Sequence, residues 1–309
     1  MTSDTDPHRI PAIDARLIDL SIPDQPPDQN AFLIEDIGTQ FRIVPSQGNS
    51  CGVRYWEKLG RSFEGILRES FGEHARLKPA TLRRGQVHPR IWRNGQSVTP
   101  IDNNYRCKML DRELQAARPR IVAFHRIQRQ LLDVFDYVTP CKENEPTFGA
   151  AIQQLLSIAS IEVETLLREA YRLNCPTKLE RSSITDWHKL AGPMRLKEWR
   201  AKLEHFSDFG DLAPFDNWSE SAAPKWWTAN NKLKHDVSLS QSANLGAVVN
   251  AVCAVRILLE AQFGSGIHDI LPDAGLSTLQ IAYEPDWTVE EMYFHPLPGN
   301  EIAHVPALG

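Results

Sequence analysis

One short stretch of the chain concentrates the residue types that can do chemistry: W-W-T-A-N-N-K-L-K-H-D, from Trp226 to Asp236. A histidine can accept and donate a proton near neutral pH, and a lysine can neutralise the charge of a phosphoryl group. The amide of asparagine offers hydrogen-bond donors and an acceptor, so it can orient either partner. Such a cluster suits the binding of a phosphate, or general acid–base chemistry on it.

A helix over this stretch would sort its side chains onto two faces, because each residue turns the helix by about 100°. Asn231 lies one turn before His235 and is close enough to hold the imidazole by a hydrogen bond. The Trp227 indole is expected beside His235, where it would lower the local dielectric constant. The alternative interpretation is a packed helix corner with a solvated rim. The expected core face contains Trp226, Ala229 and Leu233, and the expected polar face contains Trp227, Asn231, Lys234 and His235.

The elements that must position this cluster are amphipathic helices in the centre of the chain. Their apolar residues recur every three or four positions, most clearly over Phe148–Asn174. Short loops separate them, which is typical of an up-and-down helical bundle. The predicted helices span Ile121–Val138, Phe148–Asn174, Leu196–Phe206, Pro224–Asp236 and Asn244–Phe263.

The regions on either side of the bundle have a different character. Ala31–Val44 alternates apolar and polar residues and predicts a β-hairpin, and a helix is expected to begin at Tyr55. The C-terminal segment is rich in Pro and Gly, with one strand-like piece, T-L-Q-I-A-Y. We therefore predict a mainly α protein: a mixed, partly irregular N-terminal region (1–105), a helical bundle (106–265) and a short C-terminal extension (266–309).

Composition excludes several classes of protein. The net charge of −5 gives no global attraction to nucleic acid, although a local basic patch remains open. The five cysteines are scattered and form no C-x-x-C pair, which argues against disulfides and structural zinc. The first residues lack the pattern of a signal peptide, and no apolar run is long enough to span a bilayer. A cytoplasmic protein without membrane contact is expected.

The pattern W-W-x-x-x-N-x-x-K-H-D follows P-F-D-N-W and precedes a long apolar helix, and it resembles HEPN-like (higher eukaryotes and prokaryotes nucleotide-binding) helical proteins. The segment S-I-E-V-E-T-L-L, Ser160–Leu167, is similar to the same group. The resemblance covers residues 106–263. It implies an up-and-down bundle, usually a homodimer, and in many members metal-independent RNA cleavage by attack of the 2′-hydroxyl on the adjacent phosphate.

The resemblance also implies roles for individual residues. His235 matches the family histidine, and Asn231 matches the polar residue that follows the family arginine. Asn230 stands where that arginine is expected. Lys232 or Lys234 could supply the missing charge, but a lysine lacks the bidentate fork of an arginine. Asn230→Arg is therefore expected to preserve or raise activity. The predicted catalytic residues are His235, Asn231 and Lys234, the predicted substrate-binding residues are Asn230, Lys232 and Trp227, and no metal or cofactor is implied.

Two features leave alternatives open. The spacing Arg-x(4–6)-His also occurs at Arg120 and His125, on a helix with a basic face, although Ile121 occupies the slot for the polar residue. Glu162 lies at the edge of an apolar stripe, where a carboxylate needs a partner. Lys234, His235 or an arginine across the bundle could supply it, or Glu162 could extend to the surface.

Three functions follow from these observations. The first is a dimeric, RNA-cleaving protein of a defence or stress system, with His235 as acid or base. The second is a non-catalytic module that binds RNA, a nucleotide or a partner protein of the same system, which the replacement of the family arginine by Asn230 favours. The third is a purely structural helical protein in which the cluster stabilises a helix corner.

Overall fold

The computed structural model divides into two compact units, which we call the N-terminal unit (1–86, 94–97 and 287–303) and the helical unit (87–93, 98–286 and 304–309). The helical unit thus takes in parts of the segments assigned above to the N-terminal region and to the C-terminal tail. The residues that the structure describes are 15–19, 31–36, 40–45, 54–57, 60, 65, 68–69, 76–79, 82, 85–93, 108–176, 182–235, 241–264, 267, 278–291, 293 and 303–308.

The N-terminal unit contains a five-stranded antiparallel sheet of order β4-β3-β2-β1-β5. The predicted hairpin is confirmed as β2 and β3, which place Ile34 opposite Ile43. The helix predicted from Tyr55 is wrong at its start, because Trp56 lies in β4 opposite Phe41. The strands are β1 (Ala15–Asp19), β2 (Ala31–Asp36), β3 (Gln40–Pro45), β4 (Arg54–Glu57) and β5 (Arg76–Pro79).

The helical unit is built from five α-helices among the described residues, so the mainly α prediction is confirmed. The first helix begins well before the predicted Ile121 and continues through Pro119. The helices are α1 (Lys108–Phe135), α2 (Ala150–Asn174), α3 (Ile184–Trp187), α4 (Lys225–His235) and α5 (Leu245–Phe263), with 3-10 turns at Lys142–Asn144, His188–Leu190, Ser207–Phe209 and, in the N-terminal unit, Val289–Glu291.

The helix predicted over Leu196–Phe206 is also wrong. Residues Arg200–Leu203 form strand β7, which pairs antiparallel with β8 (Leu279–Tyr283), the strand predicted from T-L-Q-I-A-Y. Ala201 and Leu203 are buried while Lys202 between them is exposed, which is the alternation of a strand. Two further short strands, β6 (Gln86–Val87) and β9 (Ala303–His304), pair with each other.

The core of the helical unit forms where α2 and α5 pack against each other, with α1 and α4 alongside both. The Asn244 side chain caps α5 by accepting a hydrogen bond from the Ala247 amide at 3.0 Å. Of the residues predicted to be buried, only Leu233 is half-buried, although it also packs against the core. The others are Trp226, Leu155, Leu166, Val249 and Val252, each at most 3% exposed.

Two described helices, α2 and α5, are long and apolar enough to cross a membrane by length and composition alone. Most of α5 and about half of α2 are buried inside the helical unit. Core helices of soluble proteins share this character, since their apolar faces are covered by protein.

Candidate functional site

Helix α4 carries the candidate site, and its first half is anchored in the core. The Trp226 Nε1 donates a hydrogen bond to the Pro214 carbonyl at 2.9 Å. The Trp227 ring meets Trp187 edge to face at 6.1 Å and is 6% exposed. Trp227 is therefore a core residue, and its predicted position on the polar face beside His235 is wrong. The reason is that Trp187 of α3, from another part of the chain, packs against this side of α4.

Asn230 is the most deeply buried polar residue of α4, with no exposed surface. Its Oδ1 accepts a hydrogen bond from Ser157 Oγ of α2 at 3.1 Å, while its Nδ2 has no partner among the described residues. Asn230 was predicted to bind substrate, but this side chain faces α2. An arginine here would bury a guanidinium in the core. The structure thus argues against the expectation that Asn230→Arg is tolerated.

The second half of α4 presents cations to solvent. Lys232, Lys234 and His235 are exposed, and Asn231 is half-buried. Cations are favoured in the last turn of a helix because the C-terminal end of the helix dipole is negative. Lys225–His235 contains no acidic residue to neutralise them.

The side chains of this cationic end have neither a hydrogen bond nor an ion pair within the described part of the chain. The predicted hydrogen bond between Asn231 and His235 is accordingly not formed there. The arrangement leaves two lysine amines and an imidazole available to an anion that approaches from solvent. It can bind a phosphate through charge and can exchange a proton with it.

The alternative site at Arg120 is engaged in ion pairs. The Arg120 Nη1 lies 3.3 Å from both carboxylate oxygens of Glu162, and its Nη2 lies 3.3 Å from Glu169. The partner of Glu162 is thus an arginine of α1, one of the alternatives that the sequence left open. Burial raises the pKa of the Glu162 carboxyl, and the Arg120 charge opposes that rise.

Sequence reasoning missed one contribution to this region and left a second open among several alternatives. Ser157, which holds Asn230, has no pattern that marks it among the small residues of α2. The pairing of Glu162 with Arg120 depends on which faces of α1 and α2 pack together, and the sequence does not specify that packing. Among the described residues, no group of three histidine, cysteine or carboxylate side chains gathers as a metal site. No family model, curated protein or solved structure matches this chain.

Proposed function

We propose that the exposed end of α4 binds the phosphate backbone of RNA. The observation that carries this proposal is the joint exposure of Lys232, Lys234 and His235 on one helix turn, without acidic neighbours in α4. Unpaired cations gain the most from a polyanion, because each phosphate contact releases condensed counterions. The resemblance to HEPN-like proteins favours RNA as that polyanion.

A second candidate function is metal-independent RNA cleavage at the same place. The exposure of His235 favours it, because a general base must reach the 2′-hydroxyl that attacks the phosphate. Lys234 would offset charge on the phosphate, and Asn231 would orient the substrate. Asn230 is buried and cannot take the role of the family arginine, so binding without cleavage is the function that the geometry supports best.

The assembly and setting follow from the resemblance. A homodimer that joins two α4 ends would place two copies of His235 at one cleft, and the protein would act in the cytoplasm within a defence or stress system. A partner protein of the same system is a further candidate ligand. Light scattering at micromolar concentration tests the dimer, and a monomer would contradict it.

The decisive experiment compares binding and cleavage of one labelled single-stranded RNA in the presence of a chelator. Wild type is expected to bind with an affinity that falls as salt rises, and Lys232→Gln/Lys234→Gln is expected to lose about 1 to 1.5 from the slope of log affinity against log salt. His235→Ala should abolish any cleavage while the fold is kept, because an exposed histidine contributes little to stability. Wild type that binds no RNA at low salt would refute the proposal.

A further inference from the structure

A second cationic surface lies on α1, away from the candidate site. Three of its arginines, Arg118, Arg126 and Arg129, are exposed, and none has an ion pair or hydrogen bond within the described residues. At about 100° and 1.5 Å per residue they fall within about 80° of one another over about 16 Å of helix. We call these three residues the arginine stripe. Arg120 on the same helix differs, because Glu162 and Glu169 neutralise it.

The part of α1 that carries the arginine stripe contains no negative charge. The sequence from Leu114 to Leu132 contains four arginines, no lysine and no acidic residue, and Asp133 is the first carboxylate after it. Side chains one helix turn apart are neighbours, so the only acid of α1 within one turn of the stripe is Asp133, which follows Arg129 by four residues. An unpaired row of this length matches a polymeric anion better than a single small ion.

We propose that the arginine stripe binds the backbone of double-stranded nucleic acid, independently of its sequence. A guanidinium matches a phosphate through two parallel hydrogen bonds, and the exclusive use of arginine fits that recognition. About 16 Å of duplex axis carries about ten phosphate charges, so three contacts fit within it. Contacts to the backbone of a duplex need no stacked base, and the stripe offers no aromatic side chain for stacking, since Phe124 of α1 is buried.

Two other polyanions fit the surface less well. A basic helix that binds a membrane inserts its apolar face into the lipid. That face of α1, which includes Phe124, Ile127 and Leu131, is buried in the core. Protein interfaces enrich aromatic side chains at their centre. Among the residues of α1 whose burial the structure describes, the large exposed apolar ones are Val122 and Leu132, 39% and 38% exposed.

The test measures the affinity of the full chain for a labelled duplex RNA of about 20 base pairs between about 0.05 and 0.3 M salt. The stripe variant is Arg118→Gln/Arg126→Gln/Arg129→Gln. The matched control, Arg172→Gln/Lys189→Gln/Lys202→Gln, removes the same charge from exposed residues of the same unit. The stripe variant should lose roughly 100-fold in affinity at about 0.1 M salt and about 2 to 3 in the salt slope, while the control stays close to wild type.

Further variants and control ligands separate this proposal from the alternatives. Arg118→Lys/Arg126→Lys/Arg129→Lys keeps the charge but loses the bidentate fork, so it should keep the salt slope of wild type while losing part of the affinity. A retained slope excludes misfolding as the cause of the loss in the glutamine variant. The stripe variant should keep the affinity of wild type for the single-stranded RNA that tests α4, so failure at α4 and failure at α1 are distinguishable. Equal losses in the stripe and control variants would overturn the proposal. Absent duplex binding by wild type would also do so, as would a stripe-dependent affinity for polyglutamate or anionic vesicles that duplex RNA does not share.

Discussion

Helices α4 and α5 follow each other in the chain but use their polar residues in opposite ways. Almost every side chain of α5 is buried, including Arg256 and Glu260, whose side chains lie 2.8 Å apart. In α4 the polar residue Asn230 is buried, whereas Lys232, Lys234 and His235 are exposed. The charged pair of α5 is therefore part of the core, whereas the basic side chains in the last turn of α4 are accessible to a ligand.

The largest expected effect comes from removing one partner of the buried pair in α5. Arg256→Ala should lower the free energy of unfolding by about 3–5 kcal/mol, because Glu260 is left as a buried charge that has lost this partner. Urea denaturation of wild type and variant measures the change. In the control Arg256→Leu/Glu260→Leu, both charges are absent and much of the stability should return. A loss below about 1 kcal/mol for the single variant would show that the pair is not part of the core.

The next largest effect separates two neighbouring asparagines of α4. Asn230→Arg should lower the free energy of unfolding by about 2–4 kcal/mol, because it buries a guanidinium against Ser157. Asn231→Arg, at the half-buried neighbour, should change it by about 0.5 kcal/mol or less. Thermal unfolding of Asn230→Arg and Asn231→Arg at one pH compares the two variants. Equal stability of the two variants would contradict the placement of Asn230 in the core.

A smaller effect is expected in the pH dependence of stability, from Glu162 of α2, which faces Arg120 of α1. The pKa of Glu162 is raised above its ordinary 4.5 by burial, so its stabilising contribution is complete at pH values below the unfolded pKa. That contribution is lost as the pH rises through the folded pKa. Glu162→Gln cannot ionise, so the stability of wild type relative to this variant should fall as the pH is raised from about 4 to 7. A relative stability that rises over this window would show that the Arg120 charge outweighs burial.

The smallest effect is expected at the cationic end of α4. Lys234→Ala should change the free energy of unfolding by no more than about 0.5 kcal/mol, since this exposed lysine has no partner within the described part of the chain. Urea denaturation of Lys234→Ala, under the conditions used for Arg256→Ala, measures this change in the free energy of unfolding. A loss of about 2 kcal/mol would instead identify the cluster as a structural corner, the third function that the sequence allowed.

The long helices could be predicted because their apolar residues repeat over many turns, as in α2 and α5. The buried face of α4 could be predicted only in part, because the angle between side chains on a helix does not show which of its sides other elements pack against. Trp187 and Ser157, which are distant in sequence, bury Trp227 and Asn230. Strand β7 was missed for a related reason, since its partner β8 lies more than seventy residues later.

We propose that RNA contacts the last turn of α4 and not the helix as a whole, and a pair of single variants tests this most directly. Lys225 and Lys234 are exposed at opposite ends of α4, and Lys225→Gln and Lys234→Gln each remove one charge. The affinity of each variant for single-stranded RNA should be measured over a range of salt. Lys234→Gln should lose about 0.7 in the salt slope, and Lys225→Gln should stay near wild type. Equal losses, or no loss in either variant, would contradict it.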